Sequence, residues 1–374
     1  MFWLFLSENN EEKEKERQGL QSEARREKEM REVRTEEAVG QVLCHDLTQI
    51  IPGVMKDARF RKGHVVTEED IPVLLSMGKE HLYIWEKDDT MYHEDEAAEI
   101  LCALCLNEHM SRSQAKEGKI ELRAKIDGLL KIDTELLDAV NGLGDMMIAT
   151  LHPNMPVKKG DKICGTRVIP LVIQKERMEE AKRICGGRPI FTIMPYQKKK
   201  VAIVTTGSEV YHGRIEDAFG PVLVEKVKEF GAEVLGQTIT DDNPEMTTRA
   251  ICDWLEKGAQ MVLVSGGMSV DPDDKTPLAI RNSGARVVSY GAPVLPGAMF
   301  LLSYYEKEGE EPRAVAGLPG CVMYAKRTIF DLVLPRLMAD DPVTAEELYK
   351  LGRGGLCMNC EVCHYPNCGF GKGW

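Results

Sequence analysis

Three short stretches of the chain combine glycines with hydroxyl and carboxylate side chains: TTGSEV (Thr205 to Val210), SGGMSVDPDDKTP (Ser265 to Pro277) and LPGCV (Leu318 to Val322). Glycines let backbone N–H groups come close to an anion, and serine and threonine hydroxyls add donors. A carboxylate beside such a nest can hold Mg2+ against a phosphate or oxyanion. Any one of these stretches is a common turn. Three in order suit a phosphorylated ligand, provided that the chain between them brings them to one place.

The intervening pattern does so. Lys198, Lys199 and Lys200 precede VAIVTTG, an apolar run that ends in a glycine turn, as a buried parallel strand does at its carboxyl end. Leu223, Val227 and Phe230 follow at helical spacing, with Gly231 as the stop. VLGQTITDD reads as a strand, Asn243 and Pro244 as an N-cap and first helical residue, Ile251 and Leu255 as an apolar stripe before Gly258, and MVLVSGG as another buried strand. The order strand, helix, strand, helix, strand predicts an α/β class fold, a three-layer α/β/α domain over residues 198–340. Its sheet is mostly parallel, with ligands outside the carboxyl ends of the strands.

The remaining regions are expected to serve this domain. Residues 1–36 alternate charge with few apolar positions and read as a helical or disordered lead. Residues 37–197 carry short β-like runs broken by Pro-Gly, Lys-Gly and Lys-Lys-Gly-Asp turns, and read as β-rich accessory modules with a helical insert over 94–110 and a further helix over 134–141. His45, His64, His81, His93, His109 and His152 occur singly there and read as structural or surface histidines. Residues 341–374 are expected to be a linker and a cysteine-rich tail, hinged at Gly352, Gly354 and Gly355 and independent of the sheet.

At 374 residues the chain suits two or three domains. Lys and Arg number 48 against 60 Asp and Glu, a net charge of −12, which argues against nucleic acid as the partner. The apolar opening MFWLFL gives way to polar residues after six positions and predicts neither secretion nor a membrane span. Four of the 11 cysteines crowd the last eighteen residues, which fits a cytoplasmic chain with a metal-binding tail rather than a disulfide scaffold.

The three glycine loops resemble those of the molybdopterin-binding family of molybdenum cofactor biosynthesis, which includes molybdopterin molybdenumtransferases. TTGSE is similar to the family's S/T-T-G-D-E loop, SGGMSVDPDDKTP to S-G-G-x-S/G-x-x-x-x-D-x-T, and LPGCV to L-P-G-N-P. The resemblance covers about residues 198–337, and the upstream β-rich pieces look like a diverged form of the transferase's accessory domains.

It implies a pterin ligand, with Asp274 as the catalytic acidic residue and Mg2+ ligand and with Gly266, Gly267 and Ser269 around the pterin phosphate. Thr205, Thr206, Gly207 and Glu209 would form the facing loop, and Ser208, Ser265, Asp273, Thr276, Pro319, Gly320 and Cys321 would complete the cofactor-binding set. The implied reaction inserts molybdate or tungstate into adenylylated molybdopterin, in a homodimer that serves molybdoenzymes or other cofactor-biosynthesis proteins. A non-catalytic carrier or sensor of the pterin and a competence-damage-type nucleotide pyrophosphatase are the alternatives. Three departures bear on this choice: Ser208 stands at the loop's Asp position, Cys321 at the Asn of L-P-G-N-P, and EDAFG (Glu216 to Gly220) where the family has Ser-Asn.

In the tail, Cys357, Cys360, Cys363 and Cys368 form a C-x2-C-x2-C-x4-C run with His364 interleaved. Two-residue gaps let successive sulfurs converge on one metal centre. The first three resemble a ferredoxin-type wrap around [4Fe–4S], although the last gap is longer and Pro366 precedes the final cysteine. Zinc is the alternative metal.

Overall fold

The computed structural model describes residues 31–51, 55–84, 90–272 and 274–373. The VAIV run lies in strand β1 (Lys200–Thr206). Successive side chains of a strand point to opposite faces, so an unbroken apolar run requires cover on both. Val201 and Ile203 pack with Leu223 and Val227 on one side, and Ala202 and Val204 pack with Ile251 and Leu255 on the other. The helices supplying that cover are α1 (Phe219–Lys228) and α4 (Ile329–Met338) on the first face, and α2 (Pro244–Glu256) and α3 (Thr276–Asn282) on the second. The expected three-layer α/β/α domain is what forms.

Its other strands are β2 (Glu233–Thr240), β3 (Met261–Ser265), β4 (Arg286–Tyr290), β5 (Leu301–Tyr305) and β6 (Arg313–Leu318), in the spatial order β2-β1-β3-β6-β5-β4. Strands β2, β1, β3 and β6 are mutually parallel, and β5 runs antiparallel to both neighbours. The chain leaves β1 toward β2 on one side and then crosses to β3 on the other. That reversal opens a crevice at the carboxyl ends of β1 and β3, where doubly wound sheets take their ligands. Asn243 caps α2 as expected, accepting from the N–H groups of Glu245 at 2.8 Å and Met246 at 3.1 Å.

Upstream, the single accessory region expected over 37–197 contains two separate cores. The first gathers Val33, Leu43, Leu74 and Leu82, and its edge is a pairing of Arg31–Arg34 with His81–Ile84. The described end of the charged lead is therefore a strand with a buried valine, which corrects its reading as a solvated helix or disordered arm. Residues 1–30 of that lead lie outside the described residues. The second core packs helices Glu94–Cys105, Thr134–Asn141 and Lys175–Cys185 against a four-stranded sheet of Met110–Arg112, Lys119–Ala124, Lys162–Val168 and Met146–Thr150. The helical insert ends at Cys105, short of the expected 110, because Met110 turns into that sheet.

Lys131 of this module donates to Asp341 at 2.8 Å, and Asp341 also accepts from Arg336, which is 1% exposed. Arg336 further pairs with Glu347 at 2.8 Å, so one buried ionic knot joins the accessory module to the α/β domain.

Glu94 opens its helix only 9% exposed, and burial pushes its carboxyl up to about 7, with Asp95 adding to the effect. A carboxyl raised in the folded state holds its proton longer there than in the unfolded chain, so stability is highest below the unfolded pKa and falls as pH rises through about 7. Glu94→Gln is therefore expected to match the parent at pH 4 and to exceed it at pH 8 by on the order of 2 kcal/mol in denaturant unfolding. An advantage equal at both pH values would contradict the assignment.

Candidate functional site

The carboxyl ends of β1 and β3 meet directly. Thr205 pairs with Ser265 across the parallel register, and their hydroxyls lie 3.2 Å apart with both residues buried. From the β2 side, Gln237 donates to the Thr205 hydroxyl at 2.8 Å and to Asp217 at 2.6 Å. These contacts fix the roots of the first two glycine loops side by side.

The turns themselves need glycine. Gly266 has φ +88°, and a Cβ there would overlap the Thr206 carbonyl oxygen. Gly267 has φ +53°, and its Cβ would lie 2.8 Å from the Thr276 hydroxyl and 3.7 Å from Asp274 Oδ1. Backbone of one loop thus rests on backbone of the other, an approach that a side chain at Gly266 would block. Thr276 closes the second loop: its hydroxyl donates to Gly266 O at 2.8 Å and its N–H to Gly267 O at 3.1 Å. Tyr290 donates to Met268 O at 3.0 Å, and its own hydroxyl is held above the ordinary tyrosine range by burial and then by the Asp274 charge.

A pair of carboxylates not singled out in the sequence completes the first loop. Asp242, just beyond β2, accepts from Ser208 N at 2.9 Å and from the Thr206 hydroxyl at 3.2 Å. Asp241 accepts from the Ser208 hydroxyl and the Asp242 N–H, and these bonds hold its carboxyl below its usual range. Ser208 is thus committed to orienting the loop. By contrast, the carboxylates of Asp274 and Glu209 make no hydrogen bond or salt bridge within the described residues, and both face the glycine turns, Glu209 lying 3.6 Å from the Cβ position of Gly207.

The structure brings together Thr205, Thr206, Gly207, Ser208, Glu209, Ser265, Gly266, Gly267, Asp274 and Thr276; Ser269 follows on the exposed side of the second loop. The third loop follows β6, which is the next strand beside β3, so Pro319 and Gly320 emerge at the same edge. Cys321 lies in a 3-10 turn, and burial raises its thiol. Asp273 lies outside the described residues.

Among the described residues no three His, Cys, Asp or Glu side chains stand where they could hold one metal ion. Neither Asp274 nor the four tail cysteines, expected to hold Mg2+ and an iron–sulfur cluster or zinc, belong to such a group. The tail is also not a hinged module. Gly355 is buried, and a Cβ on it would overlap Pro293 O, while Gly371 packs on Leu332 and Phe370 is 4% exposed in the main core. A cavity of about 950 Å3 lies away from the glycine loops, among Met155, Tyr196, Lys226, Arg327 and Tyr365. Its buried charges are matched: Asp331 accepts from Lys226 at 2.5 Å and from Arg327 at 3.0 Å.

Fold and edge together define a doubly wound α/β domain with two glycine loops side by side at its topological switch point. Residues 202–339 match the family described as "Probable molybdopterin binding domain". Residues 32–86, the first accessory core, match a domain of unknown function, DUF8806.

The chain is 34% identical over 77 residues to a CinA-like protein of Mycobacterium avium, covering 21% of this chain and 18% of that protein. It is 24% identical over 183 residues to the molybdopterin molybdenumtransferase of Synechococcus elongatus, covering 47% and 42% respectively. It thus spans less than half the length of either relative. Among solved structures, the tungsten cofactor synthesizing protein MoaB from Pyrococcus furiosus aligns over 38% of this chain and 89% of its own, at 19% identity and a TM-score of 0.30. A molybdenum cofactor biosynthesis protein, also from Pyrococcus furiosus, aligns over 83% of this chain and 64% of its own, at 12% identity and a TM-score of 0.25. No helix among the described residues is long and apolar enough to cross a membrane.

Proposed function

We propose that the chain binds molybdopterin, in its adenylylated form, at the carboxyl edge of the sheet and takes part in molybdenum or tungsten cofactor biosynthesis by a reaction like that of the molybdenumtransferases. The observation that carries this reading is the contact of Gly266 with the Thr206 carbonyl, which sets two glycine loops back to back at the carboxyl edge of the sheet. Ser269 adds a hydroxyl from the exposed side of its loop. The metal oxyanion is a substrate of this reaction. No step is assigned to a resident Mg2+.

What the chain's own residues do is positional and electrostatic. Asp241 and Asp242 accept from loop donors and so hold the first loop in shape. Asp274 lies beside Gly267 with both oxygens uncommitted among the described residues, where it can accept from the ligand and bias the departure of the nucleotide. Asp274→Asn is accordingly expected to lower molybdate-dependent AMP release by at least about a hundredfold, while stability stays within about 0.5 kcal/mol of the parent. Full AMP release by this variant would remove Asp274 from the reaction.

Non-catalytic carriage of the pterin is the second reading, and Ser208 is what favours it. The hydroxyl at the family's Asp position is spent on Asp241, and among the described residues Glu209 and Asp274 remain on these loops without a hydrogen bond or salt bridge. Pterin binding without AMP release would select it.

A further inference from the structure

The four tail cysteines find no place in the pterin site. Cys357, Cys360, Cys363 and Cys368 nevertheless line one cavity of about 110 Å3, together with His364. Both flanks of this cavity are anchored. Cys357 N donates to Leu295 O and Leu295 N to Gly355 O, each at 2.8 Å, so the chain enters as a short parallel bridge beside the core. On the far side, Tyr365 donates to Asp331 O at 3.1 Å, Phe370 is buried in the core and Gly371 N donates to Gly354 O at 2.9 Å. Lys326 holds the middle of the loop through the carbonyls of Cys360, at 3.2 Å, and Glu361, at 2.5 Å.

We propose that this cavity binds a [4Fe–4S] cluster through Cys357, Cys360, Cys363 and Cys368. Two observations separate a cluster from a single ion. Zinc needs its thiolates about 2.3 Å from one centre, hence within about 4 Å of each other. The four cysteines are spread around an open volume. A cubane binds one thiolate at each iron corner and suits ligands spread around a volume.

The second observation is charge. Four thiolates on a [4Fe–4S]2+ core carry a net charge of two negatives. The cavity wall contains Lys326 and no Asp or Glu, with Arg327 beside it already paired with Asp331, and this suits an anionic cluster. The rest of the lining is largely apolar, with Pro296, Leu356, Met358 and Phe370 among it, while Cys360 and Cys363 are exposed enough for a cluster to be loaded from solvent.

The test uses the full chain purified without air, stripped of metal and incubated with ferrous iron and sulfide. About four iron and four acid-labile sulfide per chain are expected, with a broad visible absorbance that bleaches on reduction. Cys360→Ala with Cys363→Ala should lose at least nine-tenths of the iron while keeping the parent's unfolding midpoint, because both side chains are exposed. Cys252→Ala, outside the cavity, should keep its iron. One zinc per chain without sulfide, no bound metal at all, or full iron in the double variant would each overturn the proposal. Because none of these readouts involves the pterin, the result is independent of the function proposed above.

Discussion

Gly266→Ala is expected to weaken molybdopterin binding by about a hundredfold or more and to lower stability by about 3 kcal/mol. The added methyl group has no room, since its carbon would overlap the Thr206 carbonyl oxygen. No side chain can swing away to relieve this. The contact is with backbone, and φ +88° is itself unfavourable for alanine. Relief must come from separating the two loops, which opens the shared nest and moves Thr276 off the Gly266 carbonyl. Calorimetric titration and denaturant unfolding read the two losses separately. Near-parent affinity in a folded variant would show that the ligand does not rest between these loops.

The second large effect concerns the tail. Truncation after residue 350 is expected to lower the stability of the α/β domain by about 3 kcal/mol or more, because it removes the buried side chains of Leu351 and Phe370 and uncovers the core around Leu332. A tail joined by a flexible hinge would leave the unfolding midpoint where it was. That outcome would restore the independence expected from the sequence and contradict the packing of Gly355 and Gly371.

The tail shows where the sequence misled. Gly352, Gly354 and Gly355 read as a hinge, yet Gly355 is glycine because Pro293 lies against its Cα, and a sequence does not distinguish a glycine kept for motion from one kept for contact. The sheet was legible for the opposite reason. VAIV and MVLVS are apolar on both faces, Asn243-Pro244 and Gly231 mark helix ends by local chemistry, and all of these act within a few residues.

The candidate site was legible wherever a glycine turn advertised it. Asp241 and Asp242 were missed because their role depends on β2 lying beside β1, and strand order is a long-range property. Two consecutive acids at a strand's carboxyl end, just before a capped helix, were the available signal. The helix Lys175–Cys185 was also overlooked among the β-like runs, although Met178, Ala181 and Cys185 recur at helical spacing and Gly186, at φ +56°, ends it. Charged residues at most other positions masked the stripe.

The central claim is that the carboxyl edge of this sheet holds a molybdopterin phosphate, and isothermal titration of the full chain with molybdopterin and its adenylylated form tests it most directly. A saturable heat near one ligand per chain is predicted, tighter for the adenylylated form and lost in Gly266→Ala. Absence of binding to both forms by the folded parent chain, or equal binding by the parent and Gly266→Ala, would contradict it.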